Sequence, residues 1–211
     1  MNNVNTPMLG RPRKNSENIS MEERILLAAR KEFVQKGFKA VSMDSVAKVA
    51  NTTKATLYSY FNSKARLFTR TVIHLMNMIK NSTEKILSQS DIPFKQRLVN
   101  LTIKYADATQ SVDVNKFITL ALPSLTIAQQ KAIEESKHYM HSAIEDAFKR
   151  EIKLGNLPQK DTHFLLQTFV AVMNIVKYTD PDAEIISTIK KRSEEVVDFF
   201  WKGTFYDQLR A

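Results

Sequence analysis

Residues 42–68 read SMDSVAKVANTTKATLYSYFNSKARLF, and this stretch decides the fold. It holds two short helical patterns with only Asn51 and Thr52 between them. In the first, Ser42 or Asp44 is the capping residue ahead of an apolar side made by Val46, Ala47, Val49 and Ala50. In the second, Thr53 is the N-cap candidate, and Leu57 and Phe61 recur at helical spacing. Helices joined so tightly must cross steeply, which is the helix-turn-helix arrangement. It needs a small residue where the helices touch (Ala47), a turn residue tolerant of positive φ (Asn51), and an aliphatic that locks the second helix (Leu57). Asn enters the left-handed region more cheaply than other non-glycine residues.

The second helix has the chemistry of a surface that faces DNA. Its first turn, Thr53-Lys54-Ala55-Thr56, is small and polar with one cation, and Tyr58 and Tyr60 follow. Hydroxyls, an ammonium and free N–H groups at a helix N-terminus suit phosphate oxygens and base edges. Ser63 and Lys64 then restart a helix, without the acidic residue that would complete a capping box with Ser63.

Charge is concentrated where this motif lies. Residues 1–70 carry 13 Lys and Arg against 5 Asp and Glu, a net of +8, whereas the remaining 141 carry 18 against 17. Such asymmetry is the footprint of a polyanionic partner. No long helix in this region sets a Lys/Arg face against a Leu/Phe/Trp face, as a membrane-surface helix would. The absence of Cys excludes disulfides, thiol catalysis and Cys-ligated zinc. The first residues, MNNVNTPMLGRPRK, contain no apolar signal core. The longest apolar run, 164–176, is too short for a membrane span and includes Gln167, Thr168 and Asn174. A cytoplasmic protein with no membrane partner is expected.

Four Gly, six Pro and no alternating strand pattern in 211 residues predict an all-α chain. Residues 1–19 read as a flexible basic arm. Within it, Gly10-Arg11-Pro12-Arg13-Lys14 has the makings of a minor-groove reader, with Arg11, Arg13 and Lys14 as its cations; a generic basic tail attracted to phosphate is the other reading. A first helix begins at Ser20, where Ser20-x-x-Glu23 forms a capping box. Ile25, Leu26, Ala28, Ala29 and Phe33 form its buried stripe, and Gly37 ends it as a left-handed cap. Phe38 and Val41 return the chain to that stripe.

These residues, together with Arg24-Ile25-Leu26-x-Ala28-Ala29, Ser42-Met43, Val46-Ala47 and Lys54-x-Thr56-Leu57-Tyr58-x-Tyr60-Phe61-x-Ser63-Lys64-x-x-Leu67-Phe68, resemble the DNA-binding domain of TetR-family transcriptional regulators. The resemblance covers residues 20–68. Asn51 and Thr52 stand where that family usually has Gly and an aliphatic, and Ala65 replaces a common Glu. The resemblance implies a three-helix DNA-binding domain at 20–66 and a helical effector-binding and dimerisation domain at 67–211. It also implies DNA contacts by Thr52, Thr53, Lys54, Thr56, Tyr58, Tyr60 and Lys64, with Ser42 touching the backbone.

Downstream, a long helix from Ser63 to about Ser88 carries Leu67, Phe68, Thr71, Leu75, Met78 and Ile79 inward. Pro93 opens a helix with Leu98, Leu101, Ile103 and Tyr105. Helical patterns follow near 114–122, over 127–154, at 161–178 and at 183–201, the last two separated by Thr179-Asp180-Pro181-Asp182. Phe164, Leu165, Leu166, Phe169, Val170, Val172, Met173, Ile175 and Val176 span more than one face of a helix, which marks an interface. A homodimer formed through the last two helices is expected. For the effector, Tyr105, Phe117, Tyr139, Phe169 and Met173 are the candidate wall of a pocket for a small, largely apolar or aromatic compound.

Catalytic signals are missing. There is no Gly-rich phosphate loop, Gly-x-Ser-x-Gly or His-Glu-x-x-His, and no nucleophile–base constellation. His138 and His141 share a helix face with Glu134 or Glu145 one turn away, and read as a surface pair rather than a metal site. Neither enzymatic activity nor a cofactor or metal is expected. The sequence points to a regulator that binds a pseudo-palindromic operator as a homodimer and is released by ligand. An effector-independent or architectural DNA binder, or an activator of the same fold, is the alternative.

Overall fold

A computed structural model describes residues 19–110, 114–177 and 185–205. All regular structure among the described residues is helical, with no strand. In order they form α1 (Met21–Ala40), α2 (Met43–Val49), α3 (Lys54–Tyr60), α4 (Lys64–Leu87), α5 (Phe94–Gln110), α6 (Val114–Ala121), α7 (Ile127–Lys153), α8 (Thr162–Met173) and α9 (Ile185–Phe205). Short 3-10 turns at Leu122–Ser124 and Asn174–Lys177 follow α6 and α8. The arm with Arg11, Arg13 and Lys14 and the Thr179–Asp182 connection lie outside the described residues.

The head is built as its residue pattern dictates. The Ser20 hydroxyl oxygen accepts from the Glu23 N–H at 3.2 Å and starts α1. Ile25, Leu26, Ala28, Ala29 and Phe33 are buried. Gly37 does not close α1 as a left-handed cap. Its φ of 76° is paired with an extended ψ of 161°, a combination open almost only to glycine. The kink turns Phe38 back onto the helix, so that Phe33, Phe38 and Phe68 form a triangle with edge-on contacts at 5.1 Å. Such edge-to-face pairs stabilise beyond the area they bury.

The long helix α4 joins the head to the other helices. It runs alongside α1, with Arg70 to Glu22 at 3.2 Å and Arg30 to the Met78 sulfur at 3.6 Å. Its inward register differs from the expected one: Val72 and Met76 are buried, Leu75 is half-buried and Met78 is 40 % exposed. The reason is that α4 is covered on two sides, by α1 and by α7, so no single stripe chosen by period alone describes it. The head core continues past α4 into Ile118 and Ala121 of α6, Leu125, and Ile133 of α7. Phe117 of α6 lies 5.0 Å from Phe68, ring to ring.

A second core lies away from the head, around Phe94, Phe148, Phe169, Phe200 and Phe205. A buried polar node beside it ties four segments. Arg97 of α5 reaches Glu151 of α7 at 2.9 Å and donates to the Leu87 carbonyl at 2.6 Å. Arg150 donates to the same carbonyl at 2.9 Å, and the Asn156 amide donates to the second Glu151 oxygen at 2.8 Å. The C-terminus of α4 thereby gains the cations its unsatisfied carbonyls favour.

Most of the apolar residues on α8 and the 3-10 turn after it do find places within the chain's own core. Leu165, Leu166, Phe169, Val172, Met173 and Val176 are buried, whereas Phe164 and Ile175 stay 61 % and 52 % exposed. The run that looked two-faced in sequence therefore has one face against α7 and α9 and a narrower one turned outward.

Candidate nucleic-acid interface

The turn between α2 and α3 is specified residue by residue. Asn51 has φ 50°, the only non-glycine positive φ among the described residues. The Thr52 N–H reaches the Ala47 carbonyl at 3.0 Å and the Asn51 N–H reaches that of Lys48 at 3.2 Å. This paired bonding is the Schellman closure, with Asn where glycine is commonest. One contact is not visible in the sequence pattern. Arg24 of α1 donates to the Ala50 carbonyl at 3.0 Å and toward that of Asn51 at 3.4 Å, capping α2 with a cation. Ala47 is buried where α2 meets α3, and Leu57 locks α3 with no exposure at all. Val49, expected on the apolar side, is instead 43 % exposed; on so short a helix only Met43, Val46 and Ala47 fit the face that α1 covers.

α3 then presents its polar face. The Thr53 oxygen accepts from the Thr56 N–H at 3.1 Å and lies 2.9 Å from the Thr56 hydroxyl. Thr53, Lys54, Tyr58 and Tyr60 are exposed, and Thr52 and Thr56 half-buried. The Lys54 ammonium lies 3.0 Å from both carboxylate oxygens of Asp44 on α2. Its pKa is raised, chiefly by the hydrogen bond to Asp44 and then by the charge of that carboxylate. Ser42 is exposed, and its hydroxyl oxygen caps α2 through the Ser45 N–H at 3.0 Å. Ser63 caps α4 through the Arg66 N–H at 3.1 Å without any acidic partner.

Lys64 differs from the rest of the set. Its ammonium donates to the Val41 and Lys39 carbonyls at 2.9 and 3.2 Å and sits 4.7 Å over the Phe38 ring. In this arrangement it holds the α1–α2 connection. The structure thus gathers Thr52, Thr53, Lys54, Thr56, Tyr58 and Tyr60 on and just before one short helix, places Ser42 at the N-cap of the neighbouring one, and turns Lys64 toward the backbone of its own head. Asp44, which sequence reading weighed only as a cap, joins the site because it bridges to Lys54.

The candidate pocket residues divide, with Tyr105, Phe169 and Met173 in or against the distal core, Phe117 in the head-side core, and Tyr139 exposed. Tyr105 is half-buried and donates to the Asn174 side-chain oxygen at 2.7 Å. Tyr139 is 56 % exposed beneath the Lys80 ammonium, 4.6 Å from its ring centre. Among the described residues no group of three or more His, Cys, Asp or Glu could hold a metal. His141 has its pKa lowered, first by burial and then by His138 and Lys137.

No described helix is long and apolar enough to cross a membrane. Residues 25–71 match the family described as bacterial regulatory proteins, tetR family. YhgD of Bacillus subtilis (strain 168), an uncharacterised HTH-type transcriptional regulator, is 28 % identical over 161 residues, covering 74 % of this chain and 83 % of that one. A crystal structure of a candidate TetR-family regulator from Mesorhizobium loti MAFF303099 superposes with a TM-score of 0.71 at 19 % identity, over 90 % of this chain and 98 % of the other. FadR of Bacillus subtilis in complex with stearoyl-CoA gives 0.65 at 17 % identity, over 85 % and 97 %. Residues 25–71 thus carry the DNA-binding domain of the tetR family of bacterial regulatory proteins, and the helical architecture as a whole shares the fold of solved TetR-family transcriptional regulators.

Proposed function

We propose that the protein is a repressor that binds a pseudo-palindromic operator as a homodimer and is released by a small, largely apolar or aromatic effector. The observation that carries the reading is the shared core between head and body. Phe68 packs between Phe33 and Phe38 of the head on one side and Phe117 of α6 on the other. A displacement of α6 therefore repacks the head, because close-packed cores shift as units.

Dimerisation is supported by apolar side chains left outward on the last two helices, which pack on each other. Phe164 projects from α8 and Ile175 from the 3-10 turn after it, and Phe199 of α9 is 72 % exposed. Around Phe199, Glu195, Asp198, Lys202 and Gly203 of the same helix form an open surface. Covering such a face with its two-fold mate gives a four-helix seam. Two heads would then meet half-sites about 34–36 Å apart or a multiple of it. A ligand with ~100-fold different affinity for two head spacings shifts the balance by about 2.7 kcal/mol. That a protein of the same fold, FadR, holds stearoyl-CoA is in keeping with an effector that has an extended apolar part.

Selection of bound sequences from randomised duplex DNA tests the reading directly. Recovery of two inverted half-sites at helical spacing is expected; a pool with no common sequence refutes it. On the selected duplex, Lys54→Ala is expected to weaken binding roughly tenfold to a hundredfold, measured by fluorescence anisotropy at fixed salt. An effector-independent or activating role for the same fold would keep the operator and lose the ligand-induced release.

A further inference from the structure

Asp44 stands alone in its part of the chain. It is the only acidic residue between Glu32 and Glu84, an interval that holds eight Lys and Arg. It lies in the first turn of α2, where the positive end of a helix favours an anion. Lys54 is the first residue of α3, where the same field disfavours a cation. It is also the only cation in that helix. The two groups meet at 3.0 Å across the turn, both of them more than half exposed to solvent. The one ammonium on the reading helix is thus held by a carboxylate from the helix before it.

We propose that Asp44 is a specificity-determining residue, which keeps the Lys54 ammonium off the DNA backbone and so reserves it for base edges. The inference rests on the DNA-reading function above. A carboxylate and a phosphate compete for the same ammonium. A cation already neutralised by a protein anion releases no counterion when it meets DNA, so it adds nothing to the sequence-independent part of binding. Backbone contacts strengthen every sequence alike, whereas a lysine aimed at guanine O6 and N7 distinguishes one base pair from another. Discrimination is a difference of affinities, and Asp44 raises it by lowering the wrong one.

The test compares the full-length protein with Asp44→Asn on two duplexes, the selected one and a scrambled one, across a salt series. On the scrambled duplex the variant is expected to bind about eightfold more tightly at ~0.1 M salt, with a log–log salt slope steeper by about 0.9, the signature of one more phosphate neutralised. On the selected duplex the change is expected to be smaller than about twofold, because there Lys54 is already engaged with a base edge. In a Lys54→Ala background, Asp44→Asn should change neither slope, and Asp44→Glu should keep the wild-type slope. Three results overturn the proposal: an unaltered scrambled-duplex slope, an equal gain on both duplexes, or a gain that persists without Lys54. A failure of the underlying reading is distinguishable, since wild-type protein would then fail to separate the two duplexes at all.

Discussion

Asn51 and Glu32 show how single side chains set the reading head. At φ 50°, Asn51 occupies a conformation that costs a β-branched residue about 1–2 kcal/mol and glycine nothing. Asn51→Val is therefore expected to lower stability by about that much in chemical denaturation, and Asn51→Gly to leave it within roughly 0.5 kcal/mol. Glu32, buried in the head, pairs with Lys36 at 2.7 Å. Its pKa is lowered from 4.5, first by the hydrogen bond to Lys36 and then by one to Ser45. A carboxylate depressed in the folded state stabilises fully above its unfolded pKa and loses that contribution as pH falls through the folded value. Stability should thus decline on acidification below about pH 4.5, and Glu32→Gln should flatten that decline when unfolding is followed against pH. The turn at Asn51 and the cap at Thr53 were legible in sequence, because both depend on neighbours within four residues.

Among the elements, α4 and α7 show where legibility ended. Their existence and approximate limits followed from the helical patterns at 63–88 and 127–154, and the structure supplies the cap that starts α7. Thr126 makes a complete capping box with Gln129, and Gly155, with φ 76°, closes α7 through the same paired bonding seen at Asn51. Which residues face inward did not follow. Met78 and Tyr139 look like core by composition yet remain exposed, while Arg97 and Glu151 look like surface and are buried. The node they form has a measurable consequence. Removing one partner of a buried pair strands the other charge, so Arg97→Ala is expected to cost about 3–5 kcal/mol. Replacing both by apolar residues of similar volume should recover most of the loss. Denaturant midpoints of the single and double variants decide it, and a double-variant loss equal to the sum of the two single losses would show that the pair is not coupled.

For the whole molecule, the outward apolar residues of α8 and α9 lead to a test of assembly. Phe199→Glu and Phe164→Glu alter side chains that touch little within the protomer, so helicity should be kept. Light scattering at micromolar concentration should change from a dimer mass to a monomer mass, and operator affinity should fall with it, since each head then binds a single half-site. A wild-type protein already monomeric under those conditions would remove the dimer from the proposal.

By itself the sequence determined the helical class, the helix-turn-helix and the basic character of its third of the chain. Those features arise from local steric demands, caps and summed charge, none of which needs a distant partner. It took the packing of the helices to show that Lys54 rests on Asp44, that Lys64 turns to its own backbone, and that Phe117 joins the head rather than a pocket with Phe169. Each of those outcomes depends on which helix lies beside which, and a helical period repeats the same face whatever comes to cover it.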